Sequence, residues 1–271
     1  MPAVRDALLV HTLAHLKFFA RSRLLLGLAL VLGGVWALGL VAFVVLESWG
    51  DRFETLKTIA SQLRMFAWFY TAAMGLFALW WHTTQRATSV VFTRPCRPEI
   101  WLASVFTSAL LVALVIHGAG FVLTLCLSLA WGIPFQAGFL WLALDGLLES
   151  IIIVSVLTGL SAVIHPALAI LAIVFFSEST FFYFDTMLLG YIDARGASIW
   201  ASAGEGLMKG IYLALPMLDP FHTNTREVEM TLRVSSAAWK QLGLTASYAL
   251  FAFTFWFLFA ARRLRRRAPG S

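Results

Sequence analysis

The chain is short of charge: 13% of its 271 residues are Asp, Glu, Lys or Arg, where soluble domains carry about a quarter. The deficit is uneven. Charges gather in a few stretches and vanish for long runs between them, which excludes an ordinary soluble core and reads as a helical integral membrane protein. Cysteine is scarce too. Cys96 lies in a basic loop and Cys126 inside an apolar run, with no CxxC and no histidine pair plus third ligand, so both read as reduced, unpaired thiols. The chain has no GxxxxGK[ST] phosphate loop, no HExxH, no GxSxG and no Rossmann fingerprint. It therefore shows no means of hydrolysing ATP by itself. A cleavable signal peptide is also not evident, because the first apolar run, about Leu24–Leu46, exceeds the roughly 7–15 residues of a signal core.

What the chain has instead is 60% hydrophobic residues and a mean hydropathy of +0.83. Six apolar segments can be read, at about 24–46, 65–82, 100–131, 135–164, 167–189 and 242–261. The second is short, with Trp68, Phe69, Tyr70, Trp80 and Trp81 near its ends, where interfacial aromatic belts lie. The third, Ile100–Trp131, would be roughly 48 Å long as a helix against a hydrocarbon core of ~30 Å, so it must tilt, bend at Gly118 and Gly120, or project. Gly132-Ile133-Pro134 predicts a tight turn, and His165-Pro166 a second break.

Charge orients these segments. With the N-terminus inside, residues 1–23, 83–99, the His165 corner and 262–271 hold twelve basic residues against Asp6 and Glu99, while the outer loops hold eight of each sign. This obeys the positive-inside rule and predicts an all-α integral membrane protein with six transmembrane helices, both termini cytoplasmic, forming a single transmembrane domain over residues 1–271. Val4–Arg23 predicts an interfacial helix, though its apolar stripe is not clean. His11 and His15 share a face at the spacing of a metal pair, but without a third ligand they read as ordinary histidines. The net charge of +6 belongs to orientation and to anionic headgroups, including the five arginines of ARRLRRRAPGS, and not to nucleic acid.

Four acids fall inside predicted spans: Asp145 and Glu149 in the fourth, Glu178 and Asp185 in the fifth. A charge at membrane depth is expensive, so these should face the bundle interior, a wet cavity or one another. Asp145 and Glu149, four apart, share a helix face. Asp145, Glu149 and Glu178 are candidates either for a substrate or proton pathway or for structural hydrogen bonds, and Asp185 reads as structural or wet. The outer stretch 190–240 contains a weakly apolar portion, Ala203–Met217, too short to span and suited to a lid or packing element.

Taken in order, FFARSRLLL before the first span, TRPCRPEIWLAS before the long third, LDGLLESIIIVSVLTGLSAVIHPALAIL through the fourth, and YLALPMLDPF before the last resemble the membrane subunit of a type-2 ABC transporter. These are six-span bacterial permeases that export drugs, polysaccharides, lipids or proteins, and the likeness covers nearly the whole chain.

The resemblance implies a permease in the bacterial cytoplasmic (inner) membrane that binds no cofactor itself. It works with a separate ABC ATPase carrying ATP and Mg and with a second permease copy, homo- or heterodimeric. The basic segment TTQRATSVVFTRPCRPE, residues 83–99, would then be the cytoplasmic coupling segment, its coupling helix running from Gln85 to Pro98, with Arg86, Arg94, Pro95, Arg97 and Glu99 facing the ATPase. The N-terminal helix would be the family's connecting helix. The first, second and fifth spans would line the path, and Tyr212–Phe221 would close its outer end. Two other readings remain: a non-transporting membrane scaffold, and a membrane-embedded enzyme using Asp145, Glu149 or Glu178.

Overall fold

The computed structural model describes residues 2–23, 52–84, 98–161 and 223–267, with short pieces between 26 and 37, at 164, 165 and 168, and between 202 and 207. Among these residues the chain is all-helical: α1 (Pro2–Arg21), α2 (Arg52–Thr84), α3 (Pro98–Ala130), α4 (Ala137–Ser161), α5 (Thr223–Thr231) and α6 (Ser236–Arg267). Three of them, α3 from Glu99, α4, and α6 as far as Arg263, are long and apolar enough to cross a membrane. The chain is accordingly read as a membrane protein.

The 33-residue α3 runs unbroken through Gly118 and Gly120, so its excess length is accommodated without a break at the glycines. Its end is set where the sequence predicts. Gly132 adopts φ 68°, and the Ile133 amide donates to the Ser128 carbonyl at 2.9 Å, a helix-stop geometry that glycine enters without penalty. The Ser128 hydroxyl closes the turn on the Ile133 carbonyl at 2.9 Å.

α4 is the hub, packing against α2, α6, α3 and α5. At one end of the bundle Leu56 of α2, Phe139, Trp141 and Leu142 of α4, Val228, Leu232 and Ala238 form a cluster. At the other, Phe19 of α1, Trp101 and Leu102 of α3, and Ala260 and Ala261 of α6 pack together with Met74 and Val154. The starts of α2, α4 and α6 thus share one end. The start of α3 lies at the opposite end, beside the C-terminus of α6 and the C-terminal part of α1. The N-terminal helix is formed as expected, and its buried face is Thr12, His15 and Phe19. His15 meets Trp101 edge-on, with ring centroids 5.9 Å apart.

Much of the predicted first and fifth spans, together with Arg86, Arg94, Pro95, Arg97, Glu178, Asp185 and Tyr212–Phe221, lies outside the described residues.

Candidate functional site

α2 begins at Arg52, well before the apolar run that opens at Met65, so Arg64 sits within a helix and not in the outer loop where its charge was counted. Two other helices supply its partners. Its Nη2 donates to Glu149 Oε2 at 2.6 Å and to Asp145 Oδ2 at 3.2 Å, both on α4. Its Nη1 donates to Glu229 Oε1 on α5 at 3.1 Å, where the Ser61 hydroxyl also donates at 3.1 Å. Thr225, one turn before Glu229, donates its hydroxyl to Asp145 Oδ2 at 3.0 Å. Arg64, Asp145, Glu149 and Thr225 are all buried, and Glu229 alone keeps some solvent contact, at 17%.

The polar layer continues along α4. His117 Nε2 and the Ser150 hydroxyl are 2.8 Å apart, and the Thr71 hydroxyl of α2 lies 3.1 Å from the same Ser150 oxygen. A small cavity of about 30 Å³, room for one or two waters, lies between Arg64, His117, Gly120 and Thr124 and an apolar wall of Leu63, Ile116, Phe121 and Leu142.

Gly146 makes the arrangement sterically possible. A Cβ there would lie 2.9 Å from Arg64 Cγ and 3.0 Å from His117 Cε1, so the arginine stem crosses α4 at a residue with no side chain. Asp145, Gly146 and Glu149 together form a socket: a bare backbone for the stem and two carboxylates for the guanidinium.

The expectation that Asp145 and Glu149 face the bundle interior is met, and their partner is a cation from another helix. A guanidinium stays charged even when buried and offers several donors in a fixed fork, which suits it to bridging carboxylates from two helices. Among the described residues no three His, Cys, Asp or Glu side chains are grouped to hold a metal ion. The arrangement can tie α2, α4 and α5 together and hold charge at depth.

Sequence reading missed Arg64 and Glu229. The available signal was the bookkeeping of charge: two acids in an otherwise uncharged span need a cation, and Arg64, directly before the neighbouring apolar run, is well placed to supply it. Removing Arg64 and Glu229 from the outer tally leaves seven residues of each sign, so the positive-inside asymmetry is unchanged.

Glu99 lies in the first turn of α3 and pairs with Arg265 near the end of α6. This contact joins the start of α3, where the basic segment 83–99 ends, to the arginine-rich C-terminus. No family model and no curated protein matches the chain.

Proposed function

We propose that the chain is the membrane-spanning permease subunit of an ATP-driven transporter of the type-2 ABC class, an exporter in the bacterial inner membrane. It would have six spans, both termini in the cytoplasm, and ATP hydrolysis on a separate subunit.

The observation that carries this reading is the direction of the helices. α2, α4 and α6 run the same way, and α3 runs against them. α4 finishes at the end where α6 also finishes, while α6 starts at the other, which supports proposing a further span between them. Phe19 of α1 lies at that same end while α2 starts at the other, which supports proposing another span between α1 and α2. With α2, α3, α4 and α6, two such spans would give the six of the proposal.

The same geometry gathers basic pieces that are distant in sequence. Lys17 and Arg21 of α1, the α3 start that follows Arg94 and Arg97, and Arg262, Arg263 and Arg265 of α6 belong to one end. Positive charge collected at one end supports placing it in the cytoplasm. A basic face there, with Glu99 held by Arg265, is a surface on which an ATPase can push as a rigid body, biasing a bundle with two arrangements.

The test is co-purification of the full chain with an ATPase subunit. Wild-type chain should bring down nucleotide-hydrolysing activity, and the double variant R94E/R97E should lose it. An undiminished complex with the reversed charges refutes the docking role.

A further inference from the structure

α5 differs from every other helix of the bundle. It has nine residues, Thr-Asn-Thr-Arg-Glu-Val-Glu-Met-Thr, rich in poor helix formers. A helix this short is not stable in isolation, so it exists because it is docked. Its docking face is Thr225, Val228, Glu229 and Leu232, spaced at i, i+3, i+4 and i+7. Two of these pins are apolar, Val228 and Leu232, both buried in the cluster with Phe139 and Trp141. The other two are polar and reach the charge cluster: Thr225 to Asp145, and Glu229 to Arg64 and Ser61.

The far end of α5 is strained. Leu232 has φ 52°, a left-handed conformation that a leucine adopts only under constraint. Its amide donates to the Val228 carbonyl at 2.7 Å, and its backbone lies so close to Gly138 of α4 that a Cβ there would collide with the Leu232 carbonyl. Exposed Arg233 and half-buried Val234 and Ser235 follow before α6 begins at Ser236. A short, poorly propagating helix, a strained turn at one end and a polar catch in its middle are the parts of a hinged strap.

We propose that α5 is a strap that turns about Leu232 and is held shut by Glu229 and Thr225 on the Arg64–Asp145 pair. Shut, it seals the charge cluster from solvent. Open, it connects that cluster to the end of the bundle that bears the α3–α4 turn. Asp145 and Glu149 both come from α4 and hold Arg64 whether or not α5 is docked. The strap can therefore leave without dismantling the bundle. This rests on the contacts alone and stands or falls independently of the transport reading.

The test uses the full chain in detergent or nanodiscs, with both native cysteines replaced (C96S/C126S) and one new cysteine as V228C. Val228 is buried in the shut form, so its modification by a maleimide reads strap opening. E229Q and T225V should each speed labelling roughly 10-fold or more, the effect of losing a hydrogen bond to a charged group. E227Q, on the exposed side of the same helix, should leave it unchanged.

A113C, at a fully buried site on α3, should stay protected in every background. Unchanged V228C labelling in both E229Q and T225V overturns the proposal. So does equal acceleration by E227Q, or a parallel gain at A113C, which would mean that the whole bundle loosens.

Discussion

Among the described residues, two arginine–carboxylate ties join distant segments, and they do different work. Arg64 meets Asp145, Glu149 and Glu229 inside the bundle, while Arg265 meets Glu99 at its rim with 66% of its side chain exposed. Both link segments far apart in sequence. The rim pair sits in water and salt, where such contacts contribute little and serve mainly to set where charge lies. The inner tie is buried except at Glu229. Deleting one member leaves others buried and uncompensated, so the tie is dispensable only as a whole.

The largest expected effect is therefore R64A, which strands Asp145 and Glu149. It should remove about 3–5 kcal/mol of stability, read as a large fall in the thermal unfolding midpoint of the purified chain or as failure to recover monodisperse protein. Next comes G146V, which places atoms where the Arg64 stem and the His117 ring lie. It should cost about 1–3 kcal/mol in the same measurement, with G146A milder.

E229Q should be smaller again, about 1–2 kcal/mol, because Glu229 is partly solvated and α4 still holds the guanidinium. R265A should shift stability by under about 1 kcal/mol, and that shift should shrink in high salt while the R64A effect persists. If R265A proved as damaging as R64A, the contrast between the two ties would be wrong.

What was legible in the sequence follows from the range of the interactions. The third, fourth and sixth segments stand out because a long apolar run is a local signal, and Gly132-Ile133-Pro134 punctuates the chain wherever it occurs. That Asp145 and Glu149 share an inward face follows from helical spacing and the expense of buried charge. Arg64 was not legible as their partner, because it is 81 residues from Asp145 and the polar first half of α2, RFETLKTIASQLR, resembles a loop that ends where the apolar run begins. Glu229 is more distant still, 165 residues from Arg64, on a helix whose existence depends on docking. The unclear stripe of α1 has a similar cause. Its buried face includes Thr12 and His15, which hydropathy counts as surface residues.

The account turns on which side of the membrane the segment 83–99 occupies, and Cys96 lies within it as a native reporter. With Cys126 replaced by serine, a membrane-impermeant maleimide should leave Cys96 unlabelled in intact cells and label it in inverted membrane vesicles. Labelling from outside intact cells would place the basic segment on the wrong face for an ATPase and contradict the proposed function directly.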